Sequence, residues 1–129
     1  MSIQKYKDVE IGSRRFRVGT VISRKAAWIY AQMQLGKIGD ESVFQRIQDH
    51  LLSVCSLYKV NPDGTEVPMP IYEAPYPDQP GRWLLPEAQE FEYDLALVQK
   101  LMETAMEVSI GPFLKERASA QQKAQATNP

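Results

Sequence analysis

Few of the 129 residues are of types that do chemistry, and their spacing decides what chemistry they permit. His50 is the only histidine, so a metal centre built on two or three imidazoles cannot come from one copy of the chain. It stands five residues before Cys55, the single cysteine. On a helix that separation turns the two side chains about 140° apart, the wrong arrangement for a nucleophile and its base. Cys55 reads instead as a small core residue, and His50 as a partly exposed residue on a helix flank. Glu87, Glu90 and Asp94 fall at i, i+3, i+7 and could line one helical face as metal or acid–base carboxylates. Acids at a helix amino end are also what the macrodipole favours, and no second carboxylate helix or histidine completes such a site. P-loop, GxGxxG, GxSxG and CxxC patterns are all absent, and Gly36-Lys37-Ile38-Gly39 is too short to cradle a phosphate. The expectation is a protein that acts by contact, not an enzyme, with no cofactor and no metal.

Charge offers a second kind of chemistry. Residues 1–35 hold seven Lys/Arg against two acids, while residues 61–94 hold one Arg against eight acids. The two segments can attract each other within one chain or between copies, or form two solvated faces. Arg14, Arg15, Arg17, Arg24 and Lys25 form a basic cluster able to touch phosphates. A net charge of −1 and the lack of an obvious recognition helix argue against nucleic acid as the partner. The same balance gives no pull toward an anionic membrane, no run approaches the roughly 18 apolar residues of a span, and MSIQKYKDVE has no apolar core of a signal peptide. One cysteine precludes an internal disulfide and fits a reducing compartment.

The elements that must position these residues follow from turn chemistry and periodicity. With Gly12-Ser13 as a two-residue turn, Ile11–Arg14, Glu10–Arg15, Val9–Phe16, Asp8–Arg17 and Lys7–Val18 lie opposite one another. Val9, Ile11, Phe16 and Val18 then share an apolar face, and Glu10–Arg15 and Asp8–Arg17 form charge pairs on the other. A helix is predicted from Ser23 as N-cap to Gly36, with Ala26, Ile29, Tyr30 and Met33 as its stripe. A second begins at Asp40 or Ser42, with Ser42-x-x-Gln45 as a possible capping box. Its stripe runs through Val43, Phe44, Ile47, Leu51, Val54, Cys55 and Tyr58.

Asn61-Pro62-Asp63-Gly64 is turn chemistry and predicts a short hairpin of about residues 57–60 with 65–67. Prolines 68, 70, 75, 77, 80 and 86 are expected to keep the next stretch out of regular structure. A last helix starts at Pro86 or as late as Asp94, carries Phe91, Leu95, Val98, Met102 and Ala105, and is stopped by Gly111-Pro112. The Ala/Gln-rich end lacks an apolar stripe and reads as a frayed helix or disordered chain. The predicted class is α+β: an N-terminal hairpin, three main helices packed as a small bundle, a short second hairpin, and a proline-rich loop before the last helix. Residues 1–116 are expected to form a single globular domain, and 117–129 a flexible tail. Met33, Met102 and Met106 read as core or, where exposed, as an adaptable protein-binding surface.

The order of these pieces resembles the tail assembly chaperones of long-tailed bacteriophages. The likeness is carried by VEIGSRRFRVGTVISRKAAWIYAQM, by LLSVCSLYKVNPDGTEVPMPI and by FEYDLALVQKLMETAMEVSIGPFLKE, and spans about residues 6–116. Against that pattern the loop 68–86 is longer than usual, and the Ala/Gln tail has no counterpart. The resemblance implies a non-catalytic protein of the host cytoplasm, absent from the mature virion. Such chaperones bind the long helical tape-measure protein, keep it soluble and help recruit major tail tube subunits; in many phages a frameshifted longer form is also made. An amphipathic helical client needs a groove of apolar and aromatic side chains, for which Tyr72, Tyr76, Trp83 and Phe113 are the candidates, with the alternative that they simply cover the core. Self-association is possible. The competing readings are a small phage regulatory or nucleic-acid-contacting protein using the basic hairpin, and an inhibitor of a host system.

Overall fold

The computed structural model describes residues 5–74 and 81–126, and its class is α+β. Strands β1 (Lys7–Ile11) and β2 (Arg14–Val18) pair in the register that the turn predicts, residue for residue. Gly12 takes φ 65° in that turn, a conformation that side chains beyond glycine resist. Helices α1 (Ser23–Gln34) and α2 (Glu41–Leu52) follow, separated by a short 3-10 turn at Lys37–Gly39. Strands β3 (Cys55–Val60) and β4 (Glu66–Pro70) then return alongside β2, giving one antiparallel sheet in the order β1-β2-β3-β4. The helical pair is thus an excursion between two neighbouring strands.

Beyond the sheet, β5 (Tyr72–Glu73) and β6 (Arg82–Trp83) form a two-strand ribbon. A 3-10 segment over Pro86–Tyr93 leads into α3 (Leu95–Ser109), and α4 (Gly111–Ala126) completes the described chain.

Several expectations are corrected. The second helix ends at Leu52; Val54 lies in the turn beyond it, and Cys55 and Tyr58 are on β3. CSLYKV alternates buried and half-buried residues at its start, so a strand period takes over where the helical spacing runs on. Asp40, not a Ser42–Gln45 box, caps α2: its carboxylate accepts from the Ser42 and Val43 amides. Together with the Ser42 hydroxyl, which donates to the same oxygen, these bonds hold its pKa below the usual carboxylate value. Ser23 is the first residue of α1, whose N-cap is Ile22 with no side-chain cap bond. Pro68 and Pro70 sit within β4, and Tyr72–Glu73 and Arg82–Trp83 are paired, so the proline-rich stretch is partly regular. Gly111-Pro112 does end α3, but proline also suits the first turn of a helix, and the Ala/Gln segment continues as α4 to Ala126.

Strand β4 tolerates its prolines because it is an edge. The Ile71 amide donates to the Cys55 carbonyl at 3.2 Å, so the odd-numbered residues of this strand face β3. Glu66, Pro68 and Pro70 turn their backbone outward, and two of those three have no N–H to offer.

The core lies between the sheet and the helices. Phe16 and Val18 of β2, Cys55 and Leu57 of β3, Ile29 of α1, Leu51 and Leu52 of α2, and Leu101 and Ala105 of α3 are all buried. Phe91, from the 3-10 segment, meets Phe16 edge-on at 5.8 Å between ring centres. The opposite face of the sheet is polar. Arg15 pairs with Asp8 at 3.1 Å and with Glu66. Tyr58 donates to Asp8 at 2.8 Å and accepts from the Arg17 guanidinium at 2.9 Å.

Candidate functional site

The groups that could have done chemistry are dispersed. The Cys55 thiol is buried, lies 3.5 Å from the Leu51 carbonyl, and is pushed by desolvation up to about 12. That makes it inert as a nucleophile. His50 stays on α2, edge-on to Trp28 at 5.8 Å between ring centres, while the Arg46 guanidinium covers the same indole at 4.8 Å. Desolvation first, then Lys25 and Arg46, depress the His50 pKa, and its Nδ1 is buried without a hydrogen-bond partner among the described residues. The three carboxylates divide: Glu87 pairs with Lys59, Glu90 with Arg14, and Asp94 caps α3 by accepting from the Leu97 amide. Among the described residues, no group of three or more His, Cys, Asp or Glu is placed to hold a metal ion.

The basic hairpin is similarly occupied. Arg14, Arg15 and Arg17 each have a carboxylate neighbour, and Arg14 also lies over the Phe91 ring at 5.1 Å. Arg15 stands opposite Glu10 in the register, but its guanidinium reaches diagonally to Asp8 and across the sheet to Glu66.

The three candidate contact residues that are described do not form one surface. Tyr72 is buried, donates to the Asp49 carboxylate at 2.6 Å, and meets Trp83 edge-on at 5.0 Å. Trp83 is half-buried against Tyr72 and Phe91, with its indole N–H donating to Glu92. Together they seat the ribbon on the core. Phe113, 45% exposed, stands away from them against Tyr30, with ring centres 5.2 Å apart. Tyr76 lies outside the described residues.

An apolar groove of about 500 Å³ opens elsewhere, where α1, α2 and α3 meet. Helix α1 contributes Ile29 and Met33; α2 contributes Phe44, Ile47, Gln48 and Leu51. Helix α3 supplies Leu95, Val98, Met102 and Met106, with Gln99 and Glu103 as its polar members. Ile38, in the turn between α1 and α2, closes one side. Leu95 is 77% exposed, and Phe44 and Ile38 are each 42% exposed. Three methionines in one groove give walls that can repack around differently shaped side chains. The groove exists because α1 and α3 make few direct contacts, although both pack on α2.

A second apolar cleft of about 390 Å³ lies between the starts of α1 and α4. Ala26, Ala27 and Tyr30 form one wall, and Ser109, Ile110 and Phe113 the other.

Phe44 and Leu95 both belong to predicted helix stripes, where periodicity points them at the core; the structure leaves them at the groove instead. Each lies in the first turn of its helix. Met33, Met102 and Met106 carry the one usable signal in the sequence, since methionine on a stripe serves either core or adaptable surface. Comparison of the chain with family models, with curated proteins and with solved structures finds no match.

Proposed function

We propose that this protein is a non-catalytic tail assembly chaperone of a long-tailed phage. In this role it holds amphipathic helices of the tape-measure protein in the α1–α2–α3 groove and helps recruit tail tube subunits. The observation that carries the reading is the groove itself: apolar, methionine-rich, open to solvent and lined by three helices. Exposed apolar residues clustered around one concavity, as Leu95, Phe44 and Ile38 are, mark surfaces that partners cover. The resemblance in the order of elements supplies the identity of that partner. The role places the protein in the host cytoplasm; among the described residues no helix is long and apolar enough to cross a membrane. The competing use of the hairpin on nucleic acid is disfavoured because Arg14, Arg15 and Arg17 already have carboxylate neighbours.

Co-expression tests the reading. A helical tape-measure segment that precipitates alone is expected to stay soluble with the wild-type chain and to precipitate with Phe44→Glu or Leu95→Glu. No gain in solubility with the wild-type chain overturns it.

A further inference from the structure

The four-stranded sheet ends in two edges of opposite character. At β4, Pro68 and Pro70 face outward and have no N–H to give. At β1 every outward group is intact. The two-residue turn Gly12-Ser13 makes Ile11–Arg14 a hydrogen-bonded pair, so Lys7, Val9 and Ile11 direct their backbone at β2. The next inward position agrees, since the Lys5 carbonyl accepts from the Thr20 hydroxyl at 2.6 Å. Asp8 and Glu10 therefore hold their N–H and C=O groups outward, and among the described residues no strand pairs with them on that side. Both residues are exposed.

The side chains along this edge define what fits beside it. On the inner side, Arg15-Phe16-Arg17 of β2 lies opposite Glu10-Val9-Asp8, in the pattern basic, apolar, basic. The outer side is unfinished by comparison. Phe16 and Val18 are fully buried, whereas Val9 and Ile11 are half-buried at the rim of the same core. On the polar face, Asp8 is met by Arg15, Arg17 and Tyr58. Glu10 has no ion-pair partner among the described residues, because the Arg15 guanidinium reaches to Asp8 and Glu66 instead. Nearby, Lys7 and Glu107 answer each other at 3.1 Å, and Lys5 lies about 17 Å along the extended chain from Glu10.

From these unpaired backbone groups and the one unmatched carboxylate beside them, we infer that β1 takes a fifth strand from another protein. Laid antiparallel, as every pair in this sheet is, that strand bonds to both N–H and both C=O groups of Asp8 and Glu10. It places Lys or Arg opposite Glu10, then a β-branched apolar residue against Val9, then a neutral polar residue such as Thr opposite Asp8. A second copy's β1 is the wrong occupant, because the twofold register that bonds both positions sets Asp8 against Glu10 twice. The surface is separate from the α1–α2–α3 groove, none of whose lining residues is in β1, so it does not rest on the helix-docking role.

Three eight-residue peptides of alternating Val and Thr test the assignment. One is centred on Lys-Val-Thr and one on Glu-Val-Thr; the third is the first N-methylated at its Lys and central Thr amides. Titrated into the isotope-labelled full chain at low salt, the first is expected to bind and to slow hydrogen exchange of the Asp8 and Glu10 amides. The second is expected to bind about fivefold more weakly, a gap that narrows with salt and with Glu10→Gln. The methylated peptide is expected not to bind, and Glu10→Pro, which repeats at β1 the device of β4, to abolish binding of all three. Should that variant fail to fold, the methylated peptide tests the same bonds from the partner's side. No binding by the first peptide, undiminished binding by the methylated one, or equal affinities of the Lys and Glu forms overturns the assignment. So does loss of binding on Phe44→Glu, which would put the peptide in the helical groove. Protection of the Asp8 and Glu10 amides that grows with the concentration of the chain alone would make a second copy the occupant, and overturns it too.

Discussion

The two sides of the helical layer are finished to different degrees. Toward the sheet, Phe16, Val18, Leu57, Phe91 and Leu101 are buried together in one core. Along the α1–α3 seam, residues of the same kinds stand around an unfilled trough. The two regions draw on the same apolar side chains; the difference is whether the chain supplies the opposing wall. The sheet supplies it on one side. On the other, α1 and α3 make few direct contacts, and the apolar walls between them stay open.

The sharpest way to test that contrast is to damage each side in turn. Phe16→Ala opens a hole in the closed region and is expected to cost about 3–5 kcal/mol, read as a large drop in the denaturant midpoint. Leu95→Glu is expected to leave stability within roughly 0.5 kcal/mol, and Phe44→Glu, whose ring is partly covered, to cost at most about 2 kcal/mol, while both abolish helix binding. If either destabilised the fold as Phe16→Ala does, the trough would be core and not a docking surface. The Cys55 thiol extends the comparison to reactivity. With its pKa pushed to about 12, it should resist thiol-specific reagents at pH 8 until the chain unfolds.

A smaller effect is expected from His50. Its folded pKa lies below that of the unfolded chain, so the unfolded state binds a proton first as the pH falls. Stability is full above the ordinary histidine value near 6.5 and declines below it toward the lowered folded pKa. Thermal melts from pH 7.5 down to 5 should show that decline, and His50→Gln should flatten it. Smallest of all is Arg15→Ala on the outer face of the sheet, where an exposed pair is worth under about 1 kcal/mol. A larger loss in denaturant unfolding would show that this polar face contributes more than solvated charge.

Local physics makes parts of this fold legible in the amino-acid sequence. The β1–β2 register follows from one turn glycine and strict alternation, and a slip of one residue would expose Phe16 and Val18. The start of α2 is legible within two residues, because Asp40 and Ser42 are both capping types. Its end is not: Ser53-Val54 contains no breaker, and Cys55 and Tyr58 happen to continue a helical spacing into a strand. The return of β3 beside β2 is also hidden, because that pairing joins residues some forty positions apart. The trough is least legible. Stripes report which residues avoid water, and only the distance between α1 and α3 decides whether Leu95 and Met33 succeed.

The outward edge of β4 has a consequence for how copies of this protein behave together. A sheet grows by borrowing hydrogen-bond donors from the strand at its margin, and Pro68 and Pro70 withhold two of the three there. A new strand laid along that margin would leave its own carbonyls unanswered. The two prolines therefore make that margin a poor template for edge-to-edge polymerisation.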